Sequence, residues 1–140
     1  MALSAAVARE ALRYAGVTDP ARQQRTAVWT AVLTAAVISN TMIDPVSAKG
    51  ELLGIPFVTT AIWLALRALN RERVDRPTLA LTGLAGVSAS LALGMKQSLT
   101  GGLMFGFVLL VGSRLSGRLT NAGLAKLSVA GALGAAHTRL

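Results

Sequence analysis

The sequence predicts an all-α fold: a polytopic integral membrane protein with four transmembrane helices arranged as two hairpins, flanked by short N- and C-terminal interfacial helices. Three observations predict it. Only 14% of the 140 residues are charged and 53% are hydrophobic, at a mean hydropathy of +0.57. A soluble domain carries about a quarter charged residues. The shortfall is concentrated in long charge-free runs, which is how a bilayer-spanning chain reads. The basic residues lie between those runs, in clusters that alternate large and small. A single membrane domain over 1–140 follows, with spans at about 26–43, 51–67, 77–95 and 97–113 and interfacial segments at about 2–15 and 119–137.

Residues 2–15 read as a short helix. Leu3, Val7 and Tyr14 share one face, and Arg9 and Arg13 stand one turn apart on another. Such a helix either lies in the interface with its arginines on anionic headgroups or packs on a partner. Arg9, Glu10, Arg13 and Asp19 are spread through the first 25 residues, unlike the basic start and short apolar core of a cleavable signal. Asp19-Pro20 marks a helix start, because Asp caps and Pro suits the first helical position.

The first span, 26–43, is 18 residues and contains no charge. At 1.5 Å per residue that is about 27 Å, close to the hydrocarbon thickness. Trp29 stands near its start, where interfacial aromatics collect. Asp44-Pro45 ends it. The second span, 51–67, has a charge-free stretch of only 15 residues, which Lys49 and Arg67 extend by snorkelling. Pro56 is expected in its first turn or so, where a missing donor costs little. Pro77 opens the third span, 77–95, which Gly83, Gly86, Ser88, Ser90 and Gly94 make weakly hydrophobic. Thr82, Gly86, Ser90 and Gly94 recur every four residues and predict close helix packing. The fourth span, 97–113, carries Gly102 and Gly106 as a GxxxG pair placed to meet the third. Residues 119–137 are Ala- and Gly-rich with Lys126 in the first half. They are expected to be interfacial or packed on a partner, with a fifth span as the alternative.

The 14 basic residues against 6 acidic ones give a net charge of +8. They fall four, one, four, one and four into the N-terminal segment, the first loop, the central turn, the next turn and the tail. Four spans therefore gather most of them on one side. The positive-inside rule then predicts both termini in the cytoplasm, in a cell membrane or a virion inner membrane. The second and fourth spans both end in Arg-x-x-x-Arg, as Arg67/Arg71 and Arg114/Arg118. At a helix C-terminus the spacing places both guanidinium groups on one face, for anionic lipid headgroups or a partner. Thr26/Thr30 and Thr78/Thr82 open the first and third runs alike, hinting at two tandem hairpins.

The sequence carries few candidates for chemistry. There is no Cys, and the single His137 lies near the C-terminus. The four runs contain no His for axial ligation and no acid for a proton relay. No phosphate loop, dinucleotide fingerprint or nucleophile–base motif occurs. No catalytic residue, metal or cofactor is implied. The basic balance sits at the ends of apolar runs with 4% aromatics, which fits membrane lipids rather than nucleic acid. Asn40 is the most polar residue inside a run, and Asp44, Lys49 and Glu51 form a charged loop cluster. The expected function is a non-enzymatic structural or assembly subunit of a larger membrane complex or viral membrane. The alternative is a homo-oligomeric, holin-like pore or a small transport protein.

Overall fold

The computed structural model describes residues 2–38, 48–71, 73–95 and 101–137. All described secondary structure is helical: α1 (Ala2–Tyr14), α2 (Pro20–Ile38), α3 (Ala48–Leu69), α4 (Arg76–Met95), α5 (Gly101–Leu115) and α6 (Asn121–His137). No cis peptide and no positive-φ residue other than glycine occurs among them.

Each helix boundary has a local cause. The Ala21 N–H donates to Asp19 Oδ1 at 3.0 Å and Pro20 is the first residue of α2. Asp75 caps α4 by accepting from the Thr78 N–H at 3.0 Å, and Thr120 caps α6 by accepting from the Gly123 N–H at 3.1 Å. Two C-termini close identically. Gly16 and Gly117 take φ of 82° and 74°, which a side chain would oppose. The Gly16 N–H then reaches Arg13 O and the Val17 N–H reaches Leu12 O. At the second site the Gly117 N–H reaches Arg114 O and the Arg118 N–H reaches Ser113 O. This pair of bonds satisfies carbonyls that a helix end leaves open.

The packing departs from two sequential hairpins. Its main pairs are α3 with α4 and α4 with α6, followed by α1 with α2, α1 with α3 and α3 with α5. Among the described residues α2 packs chiefly on α1, and α2 with α3 is not a substantial pair. The segments expected to lie flat in an interface are bundle members. Helix α1 packs on α2 and α3, and α6 runs along α4. These two are parallel: Gly123 lies by Val74, Gly131 by Thr82, and the Ser90 hydroxyl donates to Ala135 O at 3.0 Å. The turns joining α1 to α2, α3 to α4 and α5 to α6 meet at one end of the bundle, which holds most of the arginines.

Four spans are not supported by length and apolarity. Among the described residues one helix is long and apolar enough to cross a membrane, Arg76–Gly94 within α4. The described apolar parts of α3 and α5, Gly54–Leu69 and Gly102–Leu115, are shorter. Helix α2 spends its first two turns on Arg22, Gln23, Gln24 and Arg25, which lowers its hydropathy. Helix α3 starts earlier than expected, at Ala48, so Pro56 lies inside it rather than in its first turn.

The distribution of side chains by size is unusual. Among the described residues, six of the nine buried hydrophobic ones are Ala: 27, 61, 68, 85, 89 and 92. Large apolar side chains point outward instead. Trp29 is 58% exposed, Phe107 64% and Leu133 67%, alongside Val28, Val32, Leu33 and Val37 on α2 and Met104 and Val108 on α5. Hydroxyls on these helices bond back to their own turns: Thr30 to Thr26 O, Thr34 to Thr30 O, Thr59 to Ile55 O and Thr82 to Thr78 O, all between 2.7 and 2.9 Å. Among the described residues no buried side-chain polar atom lacks a partner.

Candidate functional site: the basic end of the bundle

The six elements that meet at the basic end are tied together by polar side chains. Glu10, buried on α1, accepts from the Asn70 amide at 2.7 Å and from Arg13 at 3.3 Å. The same amide nitrogen lies 2.9 Å from Glu10 O, so the end of α3 is joined to α1 by side chain and backbone together. One turn on, Tyr14 Oη lies 2.7 Å from Ser113 Oγ on α5. Arg118 donates to Tyr14 O at 2.6 Å and stacks 4.5 Å from the centre of its ring. Helix α1 therefore clamps the ends of α3 and α5.

The sequence places the two arginines of each Arg-x-x-x-Arg on a common helix face; the structure divides each pair at a helix end. Helix α3 stops at Leu69 and α5 at Leu115, where Gly117 turns the chain. Arg67 stays on its helix with its guanidinium 5.1 Å from the Trp63 ring centre, while Arg71 lies in the turn, 3.8 Å from Asp75. Arg114 stays on its helix and donates to Asn121 Oδ1, while Arg118 turns to Tyr14. The spacing of four is helical in sequence, but the last two residues of each motif lie beyond the last helical residue.

Asp75 is the acid among the described residues of this turn. The Thr78 hydroxyl lies 2.6 Å from its Oδ1 and 2.9 Å from Arg73 O, and the Thr78 N–H donates to the same Oδ1. These Thr78 bonds, with Arg71 nearby, hold the Asp75 carboxyl below its usual value of 3.8.

Beside this cluster a cavity of about 300 Å³ opens between the α3–α4 turn and the start of α6. Arg71, Arg118 and Lys126 line it from three different segments, with Thr78 and Ser113 on its buried wall. Among the described residues no acid lines it. A second, apolar cavity of about 210 Å³ runs between α5 and the α4–α6 pair. Its walls are Ala, Gly and Leu, with Phe107 and Leu110 from α5. The two cavities share Ala68, Leu69 and Leu127.

The residues expected to pack helices lie in different settings. Thr82, Gly86 and Ser90 face α6, not α5. A Cβ on Gly86 would fall inside the Gly131 carbonyl oxygen, and one on Gly134 inside that of Gly83. Gly102 meets Ala61 and Ala89, each Cβ 3.6 Å from where its own would be. Gly94 and Gly106 have open space around them, and Gly106 lines the apolar cavity. Gly131 and Gly134 escape sequence reasoning, and Gly83 reads there only as one of the small residues that weaken the third span's hydrophobicity and suit close approach. Their signal is the shared Gly-x-x-Gly of α4 (83/86) and α6 (131/134). Asn40 and Asp44, with the Lys49 and Glu51 side chains, lie outside the described residues. His137 ends α6 on an exposed face. No group of three or more His, Cys, Asp or Glu able to hold a metal occurs among the described residues.

No protein-family model matches this sequence, and no curated protein or solved structure shows significant similarity to it.

Proposed function

We propose that this protein is a non-enzymatic, membrane-embedded helical bundle that serves as a structural or assembly subunit of a larger membrane complex or viral membrane. The observation that carries the reading is the inversion of side-chain size. Alanine supplies most of the described buried apolar residues, with Leu64, Leu66 and Leu127, while Trp29, Phe107, Val108 and Leu133 face outward. In water, burying one large apolar side chain is worth about 1.5–3 kcal/mol, so a soluble bundle gains by turning such residues inward. In hydrocarbon that drive vanishes, and small residues inside let backbones approach closely. The back-bonded threonines fit the same medium, because hydroxyls there need partners within the protein.

The four apolar runs at 26–43, 51–67, 77–95 and 97–113 overlap α2–α5, and α6 joins them as a fifth embedded helix because it lies alongside α4. The basic end is cytoplasmic by the positive-inside rule. The end of α6 then faces the opposite side, which replaces the expectation of two cytoplasmic termini. The exposed face of α2 is the surface offered to other subunits. Expression with an affinity tag tests the role. A subunit remains in membranes after alkaline extraction, leaves them sealed, and co-purifies with a membrane partner. Dye leakage from liposomes holding the protein alone would replace this reading with the pore.

A further inference from the structure

The basic cavity and the apolar cavity adjoin, and together they have the polarity of one molecule. The polar chamber carries Arg71, Arg118 and Lys126, with Thr78 and Ser113 behind them. Ala68, Leu69 and Leu127 line both this chamber and an adjoining one walled mainly by alanine, glycine and leucine. Helix α5 leaves this apolar cavity open. It seats Gly102 on Ala61 and Ala89, but Gly106, one turn later, has nothing within reach of a Cβ. Its contacts with α4 and α6 are light compared with that on α3.

We infer that the two adjoining cavities together hold one anionic phospholipid, with its phosphate between Arg71, Arg118 and Lys126 and an acyl chain along the apolar cavity beside α5. The inference rests on the membrane-embedded reading and deepens it. Charge selects the occupant. Three cations converge without a described acid among the lining residues, and Asp75 reaches only Arg71. A second copy of this chain carries +8 and brings its own arginines to the same end, so self-docking there would oppose like charges. A free phosphate would satisfy the cations but leave the apolar cavity unfilled. An anionic lipid meets both, and basic pockets between membrane helices are suited to such headgroups. Arg118 is held in place by Tyr14, so part of the receptor is preorganised. Lys126 forms no ion pair among the described residues and is the cation most available to the phosphate.

The test uses the full chain purified from membranes in mild detergent, with lipid retention read by native mass spectrometry. Phosphatidylglycerol and phosphatidylcholine are the probes, and inorganic phosphate is the competitor. We expect one phosphatidylglycerol retained per protein and phosphatidylcholine lost. The R71Q/K126Q double variant removes two cations and should weaken retention about 30-fold. Gly106→Leu fills the apolar cavity from an open position and should also weaken retention, with melting unchanged. Arg22→Gln, outside both cavities, should leave it as it was. Retention unchanged in both R71Q/K126Q and G106L overturns the proposal. Displacement by millimolar phosphate with G106L silent also overturns it, in favour of a free-anion site. A lipid-free oligomer that G106L disrupts overturns it in favour of a docked helix. Recovery of the protein in the soluble fraction after lysis would instead remove the membrane reading beneath it.

Discussion

Arg118 makes a contact that its place in the sequence does not announce. Its charge and its place after an apolar run point to headgroups. In the structure its planar fork is committed to Tyr14, through the carbonyl and the ring face. A lysine keeps the charge but loses the fork and the stack. We expect Arg118→Lys to lower stability by about 1 kcal/mol. Arg67→Lys, whose guanidinium lies over Trp63 at the end of α3, should cost less because it gives up a ring contact and, among the described residues, no hydrogen bond. Equal melting of the two variants would contradict the assignment. Tyr14→Phe removes the bond to Ser113 and leaves a buried hydroxyl to find another partner, again at about 1 kcal/mol.

Asp75 gives the residue scale its pH dependence. Its carboxyl is held below the ordinary value by Thr78. A depressed carboxylate binds its proton more readily in the unfolded chain than in the folded one. Its contribution is therefore complete above the ordinary value of 3.8 and disappears as pH falls through the lower folded value. Asp75→Asn should lower stability at neutral pH, where the carboxylate's contribution is complete, and flatten that part of an acid melting profile. An acid profile identical to that of the parent would remove the Thr78–Asp75 bond from the account.

At the scale of elements, glycine position separates two outcomes. Gly86 and Gly134 let α4 and α6 touch backbone to backbone, a geometry that also permits Cα–H···O contacts. Ala at either site must push the helices apart, at about 1–3 kcal/mol or more. Gly94 and Gly106 have open space, so Ala there should be neutral or stabilise by roughly 0.5–1 kcal/mol through helix propensity. Thermal unfolding of the four variants in detergent checks this, and a common effect across all four would contradict the packing. Thr120→Ala removes the cap of α6 and should cost about 1 kcal/mol.

The elements also mark where sequence reading runs out. Asp19-Pro20 and Asp75 announce their helices because capping is local chemistry. The every-fourth stripe on α4 is visible for the same reason, since a helix repeats its face whether or not its partner is known. The partner is not local. Gly86 meets Gly131 across 45 residues, and no period within α4 selects α6 over α5. The Arg-x-x-x-Arg motifs mislead for a related reason: the spacing is helical only if the helix persists, and Gly117 ends it. The basic cavity joins residues from three segments, so only the folded chain brings Arg71, Arg118 and Lys126 together.

At the scale of the whole molecule, charge and size define two directions. Along the bundle, the turns that carry Arg71, Arg73, Arg76, Arg114 and Arg118 collect at one end. Across it, small side chains lie inside and large apolar ones outside. Under the proposed reading, the first direction sets which way the protein faces and the second reflects a hydrocarbon medium. Among the described residues α4 alone is long and apolar enough to cross a membrane. The outward display on α2, α5 and α6 shows which apolar side chains the fold leaves uncovered. A bundle with Phe107 64% exposed should need detergent or lipid to stay monodisperse.

The proposed topology is an embedded bundle with its basic turns on the cytoplasmic side and the end of α6 on the other. The chain has no native cysteine, so single cysteines report position directly. Ser116, in the turn after α5, and His137, at the end of α6, are both exposed. The measurement is labelling of Ser116→Cys and His137→Cys in intact cells by a membrane-impermeant maleimide. We expect His137→Cys to label in intact cells and Ser116→Cys to label only after lysis. Labelling of both positions from the same side would contradict the claim.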